Sequence, residues 1–195
     1  GLESRVGQFE AGQFSTTTKL KAKTVFVVGA YDRDTGEDDA TTFTYSTKFD
    51  LNTSFSGEDL LYTRVRDGNM GGPWGSKTYG THLAASNTKS SLTVDKLWYQ
   101  FPVGENWTFW AGPKIENYYM LASAPSIYKP VLKQFSLGGN GATYGSSTDG
   151  GFGVAWTQSV EDRSDPRFAV STNYASKGAS SSDDDGGGIL TDSQS

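Results

Sequence analysis

Phe43-Thr44-Tyr45-Ser46-Thr47-Lys48-Phe49-Asp50-Leu51-Asn52-Thr53-Ser54-Phe55 alternates almost without error between two kinds of side chain. Phe43, Tyr45, Phe49, Leu51 and Phe55 share one face, with Thr47 and Thr53 between them. Thr44, Ser46, Lys48, Asp50, Asn52 and Ser54 share the other, which holds no apolar residue. A period of two marks a strand, because successive side chains of a pleated chain point to opposite sides. The polar turn Ser56-Gly57-Glu58-Asp59 leads into a second strand ending at Arg66. Strands in soluble domains usually run about 5–6 residues, and a tilted strand needs about 9–11 to cross a bilayer. The stretch 43–55 exceeds the first length and satisfies the second. One apolar face, one charged face and this length predict a transmembrane β-barrel.

Working outward, the same alternation predicts six more strands. Between Thr18 and Ala30, Leu20, Ala22, Thr24, Phe26, Val28 and Ala30 oppose Lys19, Lys21, Lys23, Val25 and Val27. After the central strand, Leu61, Thr63 and Val65 oppose Tyr62, Arg64 and Arg66. Of the later strands, one ends with Leu97–Phe101, one runs Trp107–Gly112, one is marked by Phe152, Val154 and Trp156, and the last covers Phe168–Tyr174. The connections run medium, short, long, short, very long, short, then an open tail. Outer-membrane barrels have short periplasmic turns and longer outer loops, and the short turns fall where that rule requires if the N-terminus is periplasmic. Seven strands do not close such a barrel, whose count is even. An open edge in lipid leaves unpaired backbone groups costing several kcal/mol each. The chain therefore reads as an incomplete barrel ending within an external loop, its remaining strands supplied elsewhere.

Composition agrees. The 195 residues are 35% hydrophobic and 13% aromatic, with net charge −5 and no cysteine. No apolar run reaches membrane-helix length, which excludes a helical membrane protein but not a barrel. Without cysteine there is no disulfide framework or thiolate metal site. The acidic balance argues against nucleic acid as a partner. Gly1 opens no signal-peptide pattern, so the chain reads as mature or trimmed. Leu2, Val6 and Phe9 have helical spacing, Gly12 is a natural stop, and residues 1–13 read as the end of a helical linker. Residues 176–195 form a Ser/Asp/Gly tract that cannot build a core and read as a flexible external loop.

No enzyme constellation is present. His82, the only histidine, lies in a Gly-rich loop without an evident acidic partner. Gly139-Asn140-Gly141-Ala142-Thr143-Tyr144-Gly145 lacks the spacing of a dinucleotide fingerprint, and no phosphate-loop lysine follows. The acidic runs Asp32–Asp39 and Asp183–Asp185 offer clustered carboxylates of the kind calcium favours. Gly36 falls one position early for an EF-hand and no bidentate Glu follows, so they read as solvated loops. No metal or other cofactor is expected.

The residues Phe14-Ser15-Thr16-Thr17-Thr18-Lys19-Leu20, the hairpin Leu51–Arg64 and the string Leu97-Trp98-Tyr99-Gln100-Phe101-Pro102-Val103-Gly104 resemble cyanobacterial outer-membrane porins, relatives of the carbohydrate-selective OprB-type porins sometimes labelled iron-uptake porins. The resemblance spans nearly the whole chain and is most specific in the hairpin. It implies a trimeric barrel of about 16 strands, joined by a coiled-coil linker to an S-layer-homology domain that grips the cell wall. On that pattern residues 14–175 would be the N-terminal half of the barrel. The S-layer-homology domain and the C-terminal half are lacking here, so anchoring to peptidoglycan would run through an absent domain.

These readings predict passive diffusion of small hydrophilic solutes and inorganic ions across the outer membrane of a Gram-negative cell. Lys19, Lys21, Lys23, Lys48, Asp50, Arg64, Arg66 and Lys96 would line the pore, seven cations against one carboxylate. Tyr62, Trp98 and Trp110 would be lumen aromatics, stacking on sugar rings or filling space against an inserted loop. The segment Pro113–Asp149, with a short helix near Asn117–Ala122, would narrow the lumen and present Glu116, Tyr118, Tyr119, Lys129 and Lys133. The competing class is a secreted β-sandwich adhesin or lectin binding glycans through its loops. Aromatics at both strand ends, Phe43 and Tyr45 against Phe55, Phe101 and Trp107, favour the girdles of two membrane interfaces.

Overall fold

The computed structural model describes residues 17–30, 40–75, 80–85, 87–126, 128–137, 149–162, 164–182 and 187–189. The linker 1–13, the acidic runs 32–39 and 183–185 and the Gly-rich stretch 139–145 lie outside them. Seven strands form one antiparallel sheet in sequence order: β1 (Thr18–Gly29), β2 (Thr42–Thr53), β3 (Leu60–Gly68), β4 (Thr93–Val103), β5 (Trp107–Lys114), β6 (Gly151–Thr157) and β7 (Ala169–Ala175). Several strands extend the sequence expectation by a residue or more, whereas β2 stops at Thr53, and Ser54 and Phe55, expected in the strand, belong to the turn gathered around Asp59. The anticipated helix is a single 3₁₀ turn, Asn117–Met120. Among the described residues no helix is long and apolar enough to cross a membrane. The sheet is all-β, up-and-down and open at β1 and β7, the form of a partial porin barrel.

Register fixes two chemically distinct faces. Lys19, Lys21 and Lys23 stand opposite Asn52, Asp50 and Lys48, and the last two stand opposite Arg64 and Arg66. All therefore share one face. The other face carries Phe26, 66% exposed, Val170, 68% exposed, and Phe43, Phe152 and Trp107. A soluble sheet would bury such side chains against a second layer; here no described element covers them. Phe26 meets Phe43 at 6.0 Å between ring centroids, and Phe101 stacks on Phe109 at 5.6 Å. A one-residue slip in any strand would exchange its two faces.

The connections 54–59, 104–106 and 158–168 lie at one end of the sheet and 30–41, 69–92 and 115–150 at the other; at 11 residues, 158–168 is longer than the sequence suggests and only one residue shorter than 30–41. The β2–β3 turn shows how tightly a short turn is specified. Gly57 takes the positive φ of +92°, and Asp59 gathers the turn around one carboxylate. Its Oδ1 accepts hydrogen bonds from the N–H groups of Ser56 (2.7 Å) and Phe55 (2.9 Å) and from the hydroxyls of Ser54 and Ser56 (2.8 Å each). Its Oδ2 accepts from the Tyr99 hydroxyl at 2.7 Å. The Ser56 N–H and then the Tyr99 hydroxyl hold this carboxyl well below the usual carboxylate range. A depressed folded-state pKa gives stability that is present above the unfolded value, about 3.9, and lost as pH falls through the folded one. Asp59→Asn should lower the thermal transition of the barrel at neutral pH and flatten its decline below about pH 4. Parallel acid profiles for parent and variant would contradict this.

Candidate functional site

The charged face is organised in lateral rows that follow from the register. One row reads Lys19–Asn52–Tyr62–Trp98, the next Lys21–Asp50–Arg64–Lys96, and the third Lys23–Lys48–Arg66. Tyr62 ties the first two together by donating its hydroxyl to Asp50 at 2.6 Å.

The register of β3 and β4 shifts between Arg64 and Val65, so Asp95 is an extra residue between the pairs Arg64↔Lys96 and Val65↔Val94. A bulge re-aims side chains, and here consecutive residues, Asp95 (9% exposed) and Lys96 (1%), are both buried. Asp95 accepts a bidentate pair from Arg64, Nε at 2.8 Å and Nη2 at 2.5 Å. Arg66 Nε approaches the same carboxylate at 3.0 Å without the alignment of a hydrogen bond. Lys96 Nζ lies 3.0 Å from Glu116 Oε2, and the Tyr118 hydroxyl donates to that carboxylate. Removing one partner of so buried a pair strands the other, which costs about 3–5 kcal/mol.

Glu116 belongs to a segment folded onto this face. A second register shift places an extra residue in β5 between Ala111 and Lys114. Pro113, which has no N–H to give the ladder, sits in that irregularity. Beyond it the alternation is reset, and Ile115 turns into a cluster with Trp98, Trp110, Met120 and Ala155. Glycines make the seat. A Cβ on Gly153 would stand 2.8 Å from Met120 Cβ, and one on Gly151 2.7 Å from Ile115 Cγ2. Asn117 Nδ2 donates to Asn173 Oδ1 at 3.1 Å. Tyr119 completes an aromatic group, 5.4 Å from Trp98 and 6.0 Å from Tyr62, with Tyr62 and Trp98 4.9 Å apart. The Trp110 indole N–H donates to Gln100 at 3.0 Å.

Further along the long loop, residues 131–133 pair with the neighbouring loop. Ala84 N–H donates to Val131 O at 2.7 Å and Lys133 N–H to His82 O at 2.8 Å, around a Leu83↔Leu132 bridge. The neighbouring loop is itself anchored at the sheet, where Trp74 donates to Thr42 Oγ1 at 3.0 Å and Met70 is fully buried. Its indole lies over Gly29, where a Cβ would come within 2.8 Å.

The structure thus gathers Lys48, Asp50, Tyr62, Arg64, Arg66, Lys96, Trp98, Glu116, Tyr118 and Tyr119 into one neighbourhood. Trp110 lies beneath the inserted segment. Lys19, Lys21 and Lys23 extend the same face at the β1 edge. Lys129 is exposed on the loop and Lys133 lies in the loop–loop pairing, so neither joins the cluster. Alternation alone assigns this face one carboxylate, Asp50; the bulge adds Asp95. Its signal was Val94, apolar at the parity of Lys96 and Trp98. Among the described residues no group of three or more His, Asp or Glu could hold a metal.

Comparison with known proteins gives a consistent result. The profile of the carbohydrate-selective porin, OprB family matches residues 1–187. An uncharacterised protein of Nostoc sp. is 32% identical over 174 residues, 80% of this chain and 30% of that protein. One from Synechocystis sp. is 32% identical over 145 residues, 70% of this chain and 26% of that protein. The chain therefore spans only about three tenths of the length of the curated relatives it matches. No solved structure matches it.

Proposed function

We propose that this chain, which belongs to the OprB family of carbohydrate-selective porins, forms one wall of a water-filled outer-membrane pore through which small hydrophilic solutes and inorganic ions diffuse downhill. The observation that carries the reading is the division of one sheet into an uncovered apolar face and a face of ordered charges. Lipid accepts the first, and the second requires water. The segment 115–120 narrows the lumen from the β4–β6 side, and the loop pairing at 82–84 and 131–133 keeps it there. Transport involves no chemical step. The shorter turns at one end of the sheet support a periplasmic N-terminus. The barrel is completed by further strands against β1 and β7, assembles as a trimer and is tied to the cell wall through an N-terminal domain; these last points rest on the family pattern.

The test is a pair of arginines placed on adjacent strands. Val154→Arg turns a charge to the apolar face, where about 2–4 kcal/mol is lost at the bilayer midplane. Ser171→Arg on β7 adds the same charge to the other face. The first should reduce recovery of folded, heat-modifiable porin from membranes and lower its unfolding midpoint in urea; the second should do neither. Equal tolerance of both, in a protein that stays soluble without detergent, would replace the porin reading by a soluble β-sandwich.

A further inference from the structure

The third row of the charged face differs from its neighbour in one respect. In the row Lys21–Asp50–Arg64–Lys96, carboxylates are interspersed or supplied by Asp95 and Glu116. In the row Lys23–Lys48–Arg66, three cations stand directly opposite one another on three successive strands. Like charges so placed destabilise a sheet. Lys48 is half-buried, so water screens it only in part. Among the described residues no carboxylate lies within ion-pairing distance of Lys23 or Lys48, and Asp95 meets Arg66 at Nε. The Arg66 side chain is 32% exposed.

Resting on the porin reading, we infer that Lys23, Lys48 and Arg66 form a binding row for the phosphate group, free or esterified to a small hydrophilic solute. Neighbouring strands are about 4.8 Å apart, so the three backbones span about 10 Å. Long side chains converge easily over that distance. A guanidinium fork and two ammonium groups offer several charge-assisted donors to a tetrahedral dianion, which chloride cannot use in the same way. The row lies one step from the Arg64–Lys96 row toward the long-loop end, so a solute entering from that side meets it before the narrowed level.

The experiment uses the full-length porin carrying this sheet, in planar bilayers in KCl. Potassium phosphate, glucose 6-phosphate or glucose is added at constant ionic strength and roughly pH 8, where phosphate is chiefly the dianion. Saturable reduction of the chloride current is expected from phosphate, from its ester, or from both; which of them acts identifies the source of the group. Glucose should not compete with it. Lys48→Met should raise the half-blocking concentration about tenfold or more, whereas Lys177→Met, which removes the same charge from an exposed position outside the sheet, should leave it unchanged. A channel that conducts chloride but is blocked by neither phosphate compound, or is blocked equally after Lys48→Met, overturns the binding row and leaves the porin reading standing. Absence of any conductance overturns both.

Discussion

Replacing Arg64 and Arg66 together by alanine is expected to move the reversal potential of the pore, in a KCl gradient, from anion toward cation preference. The charged face of β1–β4 carries Lys19, Lys21, Lys23, Lys48, Arg64, Arg66 and Lys96 against Asp50 and Asp95, with Glu116 on the inserted segment. Field lines in a water-filled channel with low-dielectric walls are focused along it, so an excess of one sign concentrates the opposite ion. The double variant removes two positive charges and also uncovers Asp95, whose bidentate partner is Arg64. The net charge of the face therefore falls by two, and Asp95 is left without its guanidinium partners. An unpaired buried carboxylate also costs about 3–5 kcal/mol, so the triple variant with Asp95→Asn is needed. It should regain stability and give a reversal potential between those of the parent and the double variant. Screening over about 8 Å at physiological salt makes the shift largest in dilute solution. An unchanged reversal potential in both variants would make these residues solvation of the wall.

The second large effect is expected at Gly153. Its Cβ position is occupied on one side by Met120, at 2.8 Å from Cβ and 3.0 Å from Sδ, and on another by Asn173 Cβ at 3.1 Å. Gly153→Val adds volume that Met120 and the backbone of the inserted turn would have to give up. Overpacking of this kind costs about 1–3 kcal/mol, enough to unseat a single 3₁₀ turn whose attachments include the Trp98–Trp110–Ile115–Met120–Ala155 cluster, the Tyr119 contacts with Tyr62 and Trp98, the Glu116 pair with Lys96 and the Asn117–Asn173 bond. Single-channel conductance should rise, and the segment near Ser123 should become cleavable by added protease. Gly80→Ala, at a position with nothing within 4 Å of the added carbon, should change neither. A rise in protease cleavage without a rise in conductance would place the segment outside the conducting path.

How much of this was legible follows from the range of each interaction. Alternation in 43–55 is local and period-two, so β2 and its face assignment could be read directly, and the turn at Ser56–Asp59 extended it to β3. The lysines of β1 and the arginines of β3 carried their own parity. Asp95 did not, because a bulge depends on what the partner strand does and leaves only a parity fault at Val94. The seat of the inserted turn was hidden for a similar reason. Gly151 and Gly153 look like weak points of a strand until the residues that fill the space above them, Ile115 and Met120, are known. The pairing of 82–84 with 131–133 joins two irregular loops and has no periodic signature at all.

The central claim is that alternate residues of each strand face water inside a pore and lipid outside it. The chain contains no cysteine, so single cysteines can be introduced without background. Ser171, Asn173 and Lys23 on one face, and Val170, Val154 and Phe26 on the other, would be replaced one at a time in the full-length porin and exposed in membranes to a charged thiol reagent. Labelling is expected at the first three positions and protection at the last three, with the protection lost once the membranes are dissolved and the protein is denatured. Equal labelling on both faces, or the reverse pattern, would contradict it.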